Sequence, residues 1–252
     1  MAEYAPRDRR GYYASLPFVG IPGGLLLASG VYVWLGSLDQ AVLLDGVWRV
    51  PFLFSGVLLL VALFVRYRLH ESPAFEALKA EHGIVEKRNI REVMHSSGPN
   101  LLKGIVLRIA ENGNSYIYYT LTLSYLTGVI GMSPSAGSLA VVIGCIIGIP
   151  AVPVFGALSD RVGRVIVYRY ACFGMMLFAA PSWWLLSLGN PLISIIVVAL
   201  GVGIGIYSML GPQVSLLPEL FGNRDRYLAV AICREFSAVI AGGFAPPSVH
   251  CC

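Results

Sequence analysis

Arg108 and Glu111 stand three residues apart in LLKGIVLRIAENGNSYIYYTLTLSYL, a stretch otherwise apolar enough to cross a membrane. Ionisable side chains are costly in lipid, and where they occur they face water or protein. At about 100° per residue, Arg108, Glu111, Asn112, Ser115, Tyr118, Tyr119 and Thr122 fall within an arc of about 120° on one helix face. Glu111 lies about 15 Å along that helix from Leu101, at mid-membrane depth. A carboxyl withdrawn from water takes up a proton readily, and a guanidinium meets an anionic group through charge-assisted hydrogen bonds. The stripe therefore suits a proton site at Glu111 and an anion site at Arg108, with Asn112, Ser115, Tyr118 and Tyr119 as further substrate contacts. Equally, the i, i+3 pair could neutralise itself and lock helices together.

A second intramembrane pair sits in AICREFSAVIAGG, where Arg234 and Glu235 are adjacent and project about 100° apart. They cannot simply face each other, so they are expected to form interhelix charge pairs or a gate. Other chemistry finds little support. Neither CxxC nor HExxH occurs, and His70, His82, His95 and His250 do not cluster, so no metal or cofactor is expected. Cys145, Cys172 and Cys233 lie in apolar runs as small hydrophobes; Cys251 and Cys252 receive no role. Ser115 lies one turn from Glu111, but no histidine falls in a span to activate it, so an intramembrane enzyme is not expected.

The elements that must carry these residues follow from composition. Of 252 residues, 56% are hydrophobic and 13% charged, against about a quarter charged in globular domains. The opening MAEYAPRDRRGYY lacks the apolar run of a signal peptide. Seven segments read as spans, approximately Leu16 to Leu38, Trp48 to Val65, Leu101 to Leu126, Ala136 to Leu158, Val165 to Leu188, Leu192 to Leu217 and Tyr227 to Ala245. Gly20, Gly24 and Ala28, Gly144 and Gly148, and Gly201 and Gly205 have the spacing of close helix contacts. Pro17, Pro22, Pro150, Pro153, Pro181 and Pro212 fall inside spans.

The basic residues lie on alternate connections: Arg7, Arg9 and Arg10; Arg66, Arg68, Lys79, Lys87, Arg88, Arg91 and Lys103; Arg161, Arg164 and Arg169; Arg224 and Arg226. Only Arg49 falls at the opposite face, which places the N-terminus in the cytoplasm and the C-terminus outside. This one-sided distribution accounts for the net charge of +4 without a nucleic-acid partner. Residues 66–100 read as a cytoplasmic linker with an amphipathic helix on the membrane surface, between helical segments at 1–65 and 101–252.

After the fourth span the chain reads GALSDRVGR, from Gly156 to Arg164. Asp160 at this basic face calls for Arg161, Arg164 or the positive end of a helix as its partner. The stretch resembles the signature loop of the major facilitator superfamily, G-x-L-x-D-R-x-G-R, with Val165 where most members have a second basic residue. The resemblance assigns a gating role to Gly156, Asp160, Arg161, Gly163 and Arg164. EYAPRDRRGYYAS, WRVPFLFSG, RLHESPAF, GPQVSLLPELFGNRDRY and GGFAPP resemble the metabolite:proton symporters, which include carriers of citrate, 2-oxoglutarate, shikimate, and proline or betaine. Members have twelve helices in two six-helix bundles, and in order this chain is similar to helices five to eleven.

The resulting expectation is an all-α integral membrane protein with an incomplete major facilitator fold of about seven transmembrane helices in the cytoplasmic membrane. It implies proton-coupled symport of a small organic anion or zwitterion by alternating access. The four N-terminal helices and the last helix are expected to be missing, so that missing helices or a partner chain would complete the path. A truncated, transport-inactive membrane protein is the alternative. A seven-helix receptor is disfavoured by the cytoplasmic N-terminus and by the lack of a lysine in the last span for a retinal Schiff base.

Overall fold

The computed structural model describes residues 6–39, 41–42, 45–68, 90–222 and 226–244. Most of the expected linker, together with Arg224, Cys251 and Cys252, lies outside them. The described residues form seven helical rods: α1 (Arg10–Gly36), α2 (Val47–Arg68), α3 (residues 90–128), α4 (Pro134–Val162), α5 (Arg164–Ser187), α6 (Pro191–Glu219) and α7 (Arg226–Phe244). Among the described residues five rods, α1, α2, α4, α5 and α6, are long and apolar enough by themselves to cross a membrane. The other two, α3 and α7, are those that carry the intramembrane charges. The seven rods match the expected seven segments in number and order, and the charges on α3 and α7 are what lower the apolarity of those two.

Local chemistry sets the ends. The amide side chain of Asn190 accepts from the backbone N–H of Leu192 (3.0 Å) and Ile193 (3.4 Å), with Pro191 at the first helical position of α6. Ser133 and Pro134 begin α4 in the same way. Both use a capping oxygen for orphan N–H groups and a proline where no N–H is needed. Gly163 is the whole connection between α4 and α5, at φ 107° and ψ 134°. That conformation is strained for any residue with a Cβ. The long helix α3 begins at Ile90, inside the expected linker, and kinks at Ser97 ahead of Pro99.

α4 is the hub: α1, α5 and α6 all pack on it. α1 runs antiparallel along it, with Gly11 against Gly156 near one end and Gly36 against Ser135 near the other. Gly148 receives the Tyr207 ring of α6, while Gly144 lies on Val202 and Ala199. Gly201 of α6 receives the Tyr118 ring of α3. These close approaches match the small-residue spacing. Gly20 and Gly24 do not: a side chain at either would meet nothing within 4 Å. α1 instead packs through Gly11, Ser15 and Gly36, its buried Pro22 and Ser29, and Phe18, Val19, Leu25 and Leu26. No residue of α2 is buried.

Two rods are locally underwound. Ile117–Leu121 in α3 and Gly201–Ile206 in α6 are π-helical, and they meet where the Tyr118 ring lies over Gly201. The Thr122 hydroxyl donates to the carbonyl of Ile117 at 2.9 Å, satisfying a group loosened by the wider turn. Because Gly163 carries the chain from α4 to α5, Gly163→Ala is expected to destabilise the bundle by about 1–3 kcal/mol. Thermal unfolding in detergent checks this, with Gly174→Ala, where a Cβ meets nothing within 4 Å, expected to leave the midpoint unchanged.

Candidate functional site

Arg108 and Glu111 form an ion pair, Nη1 to Oε2 at 2.7 Å, with side chains 13% and 9% exposed. The same Nη1 donates to Oε1 of Gln213 on α6 at 2.7 Å. In turn Gln213 Nε2 donates to the carbonyl of Leu107 at 3.2 Å, and the hydroxyl of Tyr168 on α5 donates to that carbonyl at 2.5 Å. The Ser115 hydroxyl donates to the carbonyl of Glu111 at 3.0 Å and lies 3.4 Å from its Oε1. Two helices, α5 and α6, thus converge on one turn of α3.

Other residues of the polar arc are drawn to different neighbours. Asn112 Nδ2 donates to Ser237 Oγ of α7 at 2.8 Å. Tyr118, 2% exposed, pairs its hydroxyl with Ser182 of α5 at 2.9 Å. The hydroxyls of Tyr119 and Tyr207 of α6 also lie 2.9 Å apart. Angular spacing alone makes the arc one surface; the structure divides it among α5, α6 and α7. The wide turn at Ile117–Leu121 changes the spacing beyond Tyr116, so a constant 100° step misplaces the later residues of the arc. Tyr118 is a packing residue of the bundle here, withdrawn from any open surface.

Arg234 and Glu235 are both exposed, and among the described residues neither makes an ion pair. This differs from the expected interhelix charge pairs. α7 turns Cys233 and Ser237 toward α3, which leaves the two intervening charges on faces no described helix covers.

A second polar station lies at the end of the bundle holding the α4–α5 connection. α1 begins at Arg10 without a side-chain cap of its own. Asp160 supplies one: Oδ1 accepts from the N–H of Gly11 at 2.7 Å and Oδ2 from that of Tyr12 at 2.9 Å. A carboxylate at a helix N-terminus satisfies orphan donors and meets the positive end of the dipole. Arg164 lies 3.8 Å from Asp160 and pairs with Glu219 at the end of α6. Gly156 admits Ser15 and Gly11 of α1 where a Cβ would strike both. Arg161 is exposed.

The protein-family model described as Major Facilitator Superfamily matches residues 1–246. The chain belongs to the major facilitator superfamily. It is 34% identical over 258 residues to the glycine betaine/proline/ectoine/pipecolic acid transporter OusA of Dickeya dadantii, covering 96% of this chain and 50% of that protein. It is 30% identical to the putative transporter YdfJ of Escherichia coli K12, covering 98% and 58%. With the shikimate transporter of the same organism it shares 31% identity over 97% and 56%. The chain spans between half and three-fifths of the length of these relatives. No solved structure matches it. As a member of this superfamily, with five helices long and apolar enough to cross a membrane among its described residues, it is a multi-pass membrane protein; the relatives above are named as transporters, not enzymes.

Sequence reasoning missed Gln213, Tyr168, Tyr207, Ser182 and Ser237, the partners on other helices. Gln213 could have been found: a lone amide in the apolar run IYSMLGPQVSLL obeys the rule that singled out Arg108, since either must find a partner out of water. Asp160→Asn keeps the side chain's size and removes its charge. It is expected to weaken the hold of α4 on α1 by about 1 kcal/mol. A cysteine replacing Ser15, which is fully buried, reports this as faster labelling by a thiol reagent than in the Asp160 parent.

Proposed function

We propose that the protein is a proton-coupled carrier of a small organic anion or zwitterion, working by alternating access, with Glu111 as the proton site and Arg108 as the site for the substrate's anionic group. The observation that carries this reading is the buried Arg108–Glu111 pair. A carboxylate placed beside a guanidinium within a bundle can exchange that partner for a proton while the cation takes a substrate carboxylate, a swap of charge-assisted contacts that leaves the net buried charge unchanged for a monoanion and raises it by one for a zwitterion. The substrates for which OusA and the shikimate transporter are named include carboxylic acids and betaines, which supports the substrate class.

On this reading Asp160, with Gly156, Gly163 and Arg164, closes the cytoplasmic end by holding the N-terminus of α1, and must release it when that end opens. Arg161 is its solvent-facing member. The positive-inside rule supports the orientation, since Arg9, Arg10, Arg161, Arg164 and Arg169 all lie at that end. Arg234 and Glu235 then face whatever covers the open side of α7. A transport-inactive membrane protein is the second reading, favoured by one observation: α2 buries no residue.

Membrane vesicles expressing the chain test both. Addition of the right carboxylate, proline or betaine is expected to alkalinise the external medium, and Glu111→Gln to abolish that signal while inserting normally. Arg108→Lys is expected to weaken substrate affinity at least ~10-fold, because lysine lacks the planar fork. Alkalinisation that survives Glu111→Gln would sink the proton assignment. Silence across the panel from well-inserted protein would favour the inactive reading.

A further inference from the structure

Glu111 supplies the charge opposite Arg108, but the geometry gives the orientation of the guanidinium to a different residue. The contact of Nη1 with Glu111 is short, yet Glu111 Oε2 is buried with no properly directed hydrogen bond, and so is Arg108 Nε. The bond from Nη1 to Gln213, at 2.7 Å, is directed. Its partner is itself fixed. Gln213 is 1% exposed, and its amide nitrogen must face the Leu107 carbonyl, which turns its oxygen to Arg108. Tyr168 holds the same carbonyl from α5.

The distribution over helices gives this clamp a consequence. Arg108 and Glu111 share α3 and move together, so a shift of α3 as a body leaves their contact unchanged. Gln213 lies on α6, next to Pro212 and downstream of the underwound Gly201–Ile206. It grips α3 at two consecutive residues, through the backbone of Leu107 and the side chain of Arg108. Any displacement of α6 relative to α3 therefore reaches the guanidinium through this amide.

We propose that Gln213 is the positioning residue of the site: it aims the Arg108 guanidinium and makes that aim depend on the packing of α6 against α3. The functional use of the aimed guanidinium rests on the transport reading above; the clamp does not. With a substrate carboxylate at Arg108, the clamp makes substrate contact sensitive to the α3–α6 arrangement.

The test is nuclear magnetic resonance of the chain in lipid nanodiscs with isotope-labelled arginine, the Arg108 guanidinium signal being identified by its loss in Arg108→Lys. In the parent, the Nη protons of Arg108 are expected to give separate signals, because a hydrogen-bonded guanidinium rotates slowly. Gln213→Leu is expected to collapse them, whereas Gln213→Glu, which keeps an acceptor at the same reach, retains them. Glu111→Gln, which removes the charge but not Gln213, retains them too. Separate signals persisting in Gln213→Leu, or collapsing in Glu111→Gln, would overturn the proposal. If Gln213→Leu does not insert, Gln213→Asn, one methylene short of Arg108, takes its place with the same expected collapse. Failure of the transport reading shows elsewhere, as vesicle alkalinisation insensitive to Glu111→Gln, and leaves this spectrum unchanged.

Discussion

A charge or amide inside a membrane protein cannot be left to lipid, so it is met by another part of the protein or by water. Most of the specific geometry here follows from that requirement. α3 carries Arg108, Glu111, Asn112, Ser115, Tyr118 and Tyr119 through a depth where none could be left to lipid. Gln213 and Tyr207 of α6, Ser182 of α5 and Ser237 of α7 answer them, and Tyr168 of α5 holds the Leu107 carbonyl beside Arg108. Apolar packing brings the helices into contact, since Gly148 and Gly201 let aromatic rings approach the backbone. Polar pairing decides which faces meet.

The same rule acts at the end of the bundle. The N-terminus of α1 has donors that its own sequence does not cap, and Asp160 reaches them from 149 positions away. Asp160 is tied through Arg164 to Glu219, so the start of α1, the α4–α5 connection and the end of α6 share one cluster of charges. The two polar stations occupy different levels of the bundle, and α6 takes part in both: Gln213 at Arg108, and Glu219 at Arg164. A movement of α6 would be felt at each.

Much of this was legible before the structure. A run of about 20 apolar residues needs only its own backbone hydrogen bonds to be helical in lipid, so the rods and most of their ends were readable. The motif GALSDRVGR, with the other ordered segments, pointed to the superfamily. Arg108 and Glu111 stood out because ionisable residues are rare in such runs. The stripe of Gly20 and Gly24 misled, because spacing shows that a face is smooth but not that anything lies on it. Constant angular spacing also failed past Tyr116, where the helix widens into a π-helical turn that no residue pattern announced.

What the sequence determined by itself was local: helical rods, their caps at Ser133 and Asn190, the sharp link at Gly163, and the presence of a charged pair within a span. Each depends on residues within a turn or two of one another. The tertiary structure decided the partners: that Arg108 answers to Gln213 as well as Glu111, that Tyr118 is committed to Ser182, that Asp160 caps α1, and that Arg234 and Glu235 face outward. Those outcomes depend on which helix lies against which and at what rotation, a property set by packing over the whole bundle. Spacing along one helix places a side chain on a face; only the neighbouring helix determines what that face meets.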